Sequence, residues 1–218
     1  MNKKSSLSYT TMNNAMLEPH TYLNKLMGLK TYQTQAMAEG DIAHGITQRH
    51  VSGVEQHPIL TAKKLPTFEL VERWKWDEQM RVRFDINEKY YFTGFLDADD
   101  PGRGDIGEFK FGVVWSLGKF ARLIQWQLYA LGRPEHKKTW FVNAPRDPKT
   151  WNEANVFVYN MDITADHRQA ASEWIKKALT TIDNIKEETD RAEALKKEKG
   201  ITGRSRFCYY IGCGFCKE

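Results

Sequence analysis

A chain of 218 residues, 41% hydrophobic and 28% charged, is long enough for one sizeable core and has the balance of a globular protein, which argues against disorder. No apolar run approaches the roughly 20 residues that a bilayer-spanning helix needs. The opening MNKKSSLSYTTMNN has two lysines and no apolar stretch behind them, so no membrane association or export is expected and a cytoplasmic location is. A net charge of +4, from 32 Lys+Arg against 28 Asp+Glu, permits a nucleic-acid partner without requiring one, because phosphate binding depends on a local basic patch.

Residues 1 to 7 read as a loose leader. From Ser8 a helical segment is expected, with Thr10 or Thr11 as its N-cap, Leu17, Leu23 and Leu26 as apolar positions, and Pro19 restarting it. Thr34 to Val51 reads as a second helix that buries Ala36, Met37, Ala43 and Ile46 and carries His44. Gly40, in its middle, costs about 1 kcal/mol relative to alanine, so it is either tolerated or leaves room for a close neighbour. A lone helical histidine such as His44 is more often a packing residue than a ligand; His50 and His57 have no context that singles them out.

Between His57 and Lys75 the pattern is mixed: Pro58 and Pro66 bracket ILTAKKL, and FELVERWKW suits a strand or a short helix. Gln79 to Ile86 alternates, with Met80, Val82, Phe84 and Ile86 on one face and Arg81, Arg83 and Asp85 on the other, which is a half-buried strand. Asn87-Glu88 turns it into a strand over Tyr90 to Leu96 that delivers Asp97 at its end. Pro101, Gly102 and Gly104 mark a turn, and Ile106 to Phe111 returns as the strand paired with the first.

Side chains alternate along a strand, so Glu108 and Lys110 project to one side and Phe109 to the other. Asp97 and Glu108 are hard oxygen donors of the kind Mg²⁺ or Mn²⁺ takes. A lysine beside them can hold an attacking water or offset charge building on a phosphate. By itself the same triplet also describes a charged edge hairpin.

A loop over Gly112 to Gly118 leads to a helix from Lys119 to Leu131, ended by Gly132 and Pro134, with Ile124, Leu128 and Leu131 as its core side. Gln125 and Tyr129, four apart, share a face, and without further context form a semi-buried polar seam. Thr139 to Asn143 and Asn155 to Met161 are strands; the polar segment between them, with Pro145, Pro148 and Trp151, is a DNA-facing loop or a long connection. Thr164 to Lys199 is a long amphipathic helix with Ala171, Trp174, Ala178, Ile182 and Ile185 on one stripe, stopped by Gly200.

In chain order these residues give Gly40/His44, Gly94-x-x-Asp97, Glu108-x-Lys110 and Gln125/Tyr129. That set resembles the RecB-like nucleases of the PD-(D/E)XK superfamily, related to AddB-type and CRISPR-associated exonucleases, over roughly residues 5 to 217. The resemblance implies an α/β fold with a restriction-endonuclease-like core, a mixed central sheet flanked by helices. It implies a single nuclease domain over 1–218, with N-terminal helices over 8–56, a catalytic sheet core over 78–161, the long helix over 164–199 and a cysteine-containing tail over 201–218. It makes His44, Asp97, Glu108 and the Phe109 carbonyl ligands of Mg²⁺ or Mn²⁺, Lys110 the residue that orients water, and Gln125 and Tyr129 supports that position lysine, water or DNA phosphate.

All three cysteines, Cys208, Cys213 and Cys216, fall in the last eleven residues, a spacing that suggests metal or redox chemistry ahead of structural disulfides. The tail resembles the C-terminal three of the four cysteines that hold an iron-sulfur cluster in some relatives. Glu18-Pro19 stands where the fourth would precede a proline. The tail is therefore read as reduced thiols on an apolar segment, an iron-sulfur site with a non-cysteine ligand, or Zn²⁺ completed by a histidine such as His20.

The expected activity is a divalent-metal-dependent DNase, an exonuclease of recombination, repair or phage DNA metabolism acting on DNA, alone or with a helicase or single-strand annealing protein. The alternatives are a non-catalytic DNA-binding or assembly subunit, and a structure-specific endonuclease or resolvase.

Overall fold

The structure, a computed structural model, describes residues 4–17, 35–68 and 80–199. The elements run β1 (Ser5–Leu7), α1 (Tyr9–Leu17), α2 (Gln35–Val51), α3 (Pro58–Ala62), β2 (Arg81–Asp85), β3 (Tyr90–Phe95), β4 (Ala98–Asp100) and β5 (Asp105–Phe111). They continue with α4 (Leu117–Ala121), α5 (Ile124–Gly132), β6 (Lys138–Ala144), a 3₁₀ turn (Pro148–Thr150), β7 (Phe157–Asp162) and α6 (Ala165–Lys199). Met1–Ser6 with Tyr32–Ser172 form one compact unit, and Leu7–Thr31 with Glu173–Glu218 a second.

In the first unit a four-stranded mixed sheet, ordered β4-β5-β6-β7, pairs β5 with β6 in parallel, from Asp105↔Lys138 to Phe111↔Ala144, and every other pair antiparallel. Its two faces bury different residues, because alternate side chains of β5 and β6 point opposite ways. Phe109, Val142 and Ala144 pack with Ala43 and Val51 of α2. Phe141, from the other face, stacks on Phe120 of α4 at 4.7 Å and meets Trp126 of α5 edge-on at 5.9 Å. Helices thus cover the expected mixed sheet on both sides.

A second sheet, β1-β3-β2, joins β2 to β3 antiparallel with Arg81 opposite Phe95 and Asp85 opposite Tyr91. The alternation of β2 holds: Met80 and Val82 are buried while Arg81, Arg83 and Asp85 are exposed. The Asn87 side chain accepts hydrogen bonds from the Lys89 and Tyr90 backbone and closes the turn between the strands. In the second unit Ala178, Ile182 and Ile185 of α6 are fully buried, and Trp174 packs against Tyr9 at 5.9 Å.

Several expectations are corrected. Of the expected loose leader, Ser5–Leu7 is strand β1, its Ser5 N–H donating to the Lys89 carbonyl at 2.8 Å, because the free edge of β3 offers a partner that three residues with one apolar side chain do not advertise. The N-cap of α1 is Ser8, whose hydroxyl accepts from the Thr11 N–H at 3.2 Å, rather than Thr10 or Thr11, and Leu17 is exposed. Gly40 makes room for nothing, since a Cβ there would meet no atom within 4 Å. Ile46 is half-buried and packs against the α2 side of the core, where Ala43 is fully buried.

The strand paired with β5 is β4, not the Tyr90–Leu96 run, because the chain bends at Leu96-Asp97 and changes sheet. The helix expected over Lys119 to Leu131 is two helices. The Trp126 indole donates to the Phe120 carbonyl and the Gln127 amide to the Ala121 carbonyl, taking acceptors that a continuous helix would use for its own backbone. The buried side of α5 is Trp126, Leu128 and Ala130, with Ile124 and Leu131 half-buried. Outside the described residues lie Pro19, His20, Leu23, Leu26, the side chains of Ala36 and Met37, the stretch 69–79 that holds most of FELVERWKW, and the tail with Cys208, Cys213 and Cys216.

Candidate active site

The bend after β3 creates the site. Leu96 still donates its N–H to the Met80 carbonyl at 2.8 Å, and the next residue turns away. The register of β4 on β5 sets Asp97 opposite Glu108, one step beyond the Ala98↔Gly107 pair. In place of a strand carbonyl, the Asp97 carboxylate itself accepts the Phe109 N–H at 2.6 Å. Its carboxylate therefore lies at the sheet edge, where it can be approached from both faces. The Phe109 carbonyl points to that same edge, since an extended residue directs its N–H and C=O to one side.

From the α2 face, the His44 imidazole Nε2 meets Asp97 Oδ1 at 2.9 Å, seated between the Phe109 and Phe111 rings at 5.5 and 6.2 Å. From the α5 face, Lys110 Nζ donates to Glu108 Oε1 and, at 3.0 Å, to Gln125 Oε1; Gln125 Nε2 in turn donates to the Tyr129 hydroxyl at 3.0 Å. Gly94 admits the Tyr129 ring: a Cβ at that position would lie 2.6 Å from Tyr129 Cε1. His44, Asp97, Glu108, Lys110, Gln125 and Tyr129 thus converge, as does the backbone of Phe109.

Two residues of this neighbourhood carry no signal in the motifs. Gln48, one turn beyond His44 on α2, hydrogen-bonds to its ring; the spacing of four on a helix was the available clue. Asn143, paired in register with Lys110, donates to the Lys110 and Val113 carbonyls at 2.8 and 3.2 Å and accepts the Trp115 N–H at 2.6 Å, which fixes the chain as it leaves Lys110. A buried polar residue closing an otherwise apolar strand could have drawn notice. His50 is structural: it accepts the His57 N–H at 3.1 Å and reaches the Leu65 carbonyl.

The electrostatics separate the two carboxyls. Burial opposes an ionised Asp97, but the His44 imidazole bonded to it, with Lys110 and the Phe109 N–H, outweighs burial and holds its pKa below the usual range. Burial likewise opposes charge on His44, and Asp97 overcomes it and raises the imidazole above its ordinary value. Glu108 is fully buried; its burial, reinforced by the Asp97 charge opposite, prevails over Lys110 and pushes its pKa up to about 7. One carboxyl is firmly ionised and its neighbour titrates near neutrality, the split that acid-base sites use.

Among the described residues no three His, Cys, Asp or Glu side chains are grouped as a ready metal cage; His44 is engaged with Asp97 and Lys110 with Glu108. The donor chemistry nonetheless fits a hard divalent cation. Glu108 Oε2 is buried with no hydrogen-bond partner, Asp97 stands one step beyond the Ala98↔Gly107 pair, and the Phe109 carbonyl points to the same edge. A cleft of about 360 Å³ between Glu39, Ile42 and Ile46 of α2 and the Arg146–Lys149 segment contains none of these residues. That segment is a tied connection: the Trp151 indole donates to the Pro145 carbonyl at 2.8 Å and stacks on Phe111.

A mixed sheet covered by helices, with an acid at a strand bend opposite a Glu-x-Lys strand, is similar in fold to a solved exonuclease. LHK-Exo, an alkaline exonuclease from Laribacter hongkongensis, in its complex with dAMP, is 11% identical over 89% of this chain and 93% of that chain, with a TM-score of 0.51. A phage-related exonuclease from Haemophilus somnus 129PT is 13% identical over 83% of this chain and 84% of that one, with a TM-score of 0.49. No family model and no curated protein matches the chain. Among the described residues no helix is long and apolar enough to cross a membrane.

Proposed function

We propose that this protein is a divalent-metal-dependent deoxyribonuclease, an exonuclease that hydrolyses phosphodiester bonds in DNA recombination, repair or phage DNA metabolism. The observation that carries the reading is the meeting, at one sheet edge, of Asp97 and Glu108 at facing positions with Lys110 held between Glu108 and Gln125. Asp97, Glu108 and the Phe109 carbonyl would hold Mg²⁺ or Mn²⁺, with His44 joining from the α2 side. When bound, such an ion supplies an acidified water and a polarised phosphate.

The chain's own residues do the rest. Lys110 Nζ, with Glu108 and Gln125 as acceptors, is aimed so that the ammonium orients the attacking water and offsets charge on the phosphate as it is attacked. Gln125 cannot rotate without losing either Lys110 or Tyr129, so the Tyr129 ring, seated against Gly94, sets the position of the ammonium from behind. Without the ion, the His44 imidazole holds the Asp97 carboxylate and favours its ionised form. LHK-Exo was solved with dAMP, and a deoxynucleoside monophosphate is the product this reading expects. A helicase or a single-strand annealing protein is the partner class it implies.

The test is cleavage of end-labelled linear duplex, single-stranded and closed circular DNA by wild type and Glu108→Ala, in Mg²⁺, Mn²⁺ and EDTA. Metal-dependent loss of linear DNA by wild type alone supports the reading, and the label lost first gives the polarity. Cutting of the circle would move it to a structure-specific endonuclease. DNA bound but uncut with either metal would make the chain a non-catalytic binding subunit.

A further inference from the structure

The outer face of the β2-β3 ribbon carries a second pattern that the nuclease site does not use. Its cross-strand set is Arg81 opposite Phe95, Arg83 opposite Thr93 and Asp85 opposite Tyr91, all on the side away from buried Met80, Val82 and Phe92. The Arg81 guanidinium lies over the Phe95 ring at 5.3 Å and the Arg83 guanidinium over the Tyr91 ring at 4.2 Å. Phe95 is 46% exposed, a large apolar ring left at the surface. Asp85 is the single acid among these six positions, and Lys4 reaches it at 2.7 Å, so the face is left with a net positive charge.

We propose that this face is a stacking platform for single-stranded DNA. Alternating arginines and rings meet the two needs of such a ligand: a π-surface for each base and a cation for each phosphate. A guanidinium laid on a ring keeps its edge N–H groups outward, where a phosphate can take them. A protein interface would instead favour an apolar centre with charge confined to its rim, and here charge and ring sit together in the pairs Arg81–Phe95 and Arg83–Tyr91. Continuity supports the assignment: β3 presents Tyr91, Thr93 and Phe95 on this face, and Asp97 follows Phe95 by two residues, across the bend. Phe95 thus marks the end of the platform nearest Asp97 in sequence.

The choice of DNA as the polyanion rests on the nuclease reading; the platform itself does not. The experiment is fluorescence anisotropy of a labelled oligothymidylate with the full chain in EDTA, where nothing is cut, across a salt series. The variants are Phe95→Ala and the double variant Arg81→Gln with Arg83→Gln, each checked by circular dichroism and thermal midpoint. All three side chains sit on an exposed face, so folding should be kept. Phe95→Ala should weaken binding about tenfold through lost stacking. The double variant should lower the salt slope by about 1.4, two phosphate contacts at about 0.7 each. Wild-type affinity and slope in both variants would overturn the proposal, as would loss of duplex binding with single-strand binding kept. A change of oligomeric mass at unchanged affinity would make the face an interface between copies and would also overturn it. A blank cleavage assay with these binding losses intact would remove the nuclease reading and leave the platform standing.

Discussion

Replacing Glu108 with glutamine should remove a pH dependence of stability that the metal-free protein carries. The Glu108 carboxyl titrates at about 7 in the folded chain against an ordinary value of 4.5, because it is buried and faces Asp97. The folded state therefore binds this proton more tightly than the unfolded chain does. Its contribution to stability is fully present below about pH 4.5 and is lost as pH rises through about 7. From about pH 5 to about pH 8.5 the loss is on the order of 2–3 kcal/mol, from the energy equivalent of each pKa unit.

His44, also raised, works in the same direction, whereas Asp97, held low, has completed its change below this window. Urea unfolding in EDTA should show the wild-type midpoint falling by about 1 M over that range. Glu108→Gln, neutral at every pH, should keep only the His44 part. Adding Mg²⁺ at the upper pH should raise the wild-type midpoint, since the ion favours ionised Glu108, and should leave Glu108→Gln nearly unmoved. Identical pH slopes in the two proteins would refute the reasoning, because they would mean that Glu108 is not a buried, half-partnered carboxyl.

Three further outcomes are expected. Lys110→Met should lower turnover per folded molecule by about 10²- to 10³-fold; wild-type turnover would remove the lysine from the mechanism. Gly94→Val inserts a Cβ that would sit 2.6 Å from Tyr129 Cε1. It should cost about 1–3 kcal/mol in chemical denaturation and slow cleavage with it, and full activity would mean that Tyr129 and Gln125 do not position Lys110. Trp126→Phe removes the indole bond to the Phe120 carbonyl at the helix break; it should lose about 1–2 kcal/mol of stability and leave turnover per folded molecule unchanged, which active-site titration would check.

What could be read in the sequence is what local periodicity and short spacing encode. Met80, Val82 and Phe84 alternating with Arg81 and Arg83 define β2 whatever surrounds it, and the two-residue step from Glu108 to Lys110 puts both on one face of any strand. Gln125 and Tyr129 share a helix face for the same reason, and the stripe of Ala178, Ile182 and Ile185 marks the buried side of α6. None of these needs knowledge of a partner element.

What the tertiary structure decided are the matters that depend on partners far away in sequence. The bend at Asp97, which moves the chain from one sheet to the next, exists because that side chain takes the Phe109 N–H in place of a backbone carbonyl. The pairing of β1 depends on the free edge of β3, and the break between α4 and α5 on which side chains reach the Phe120 and Ala121 carbonyls. Gly94 reads as an ordinary strand glycine until the Tyr129 ring is seen against it. The shifted pKa of Glu108 belongs to no local pattern either: it arises from burial and from the charge of Asp97, and both depend on how the assembled elements exclude water.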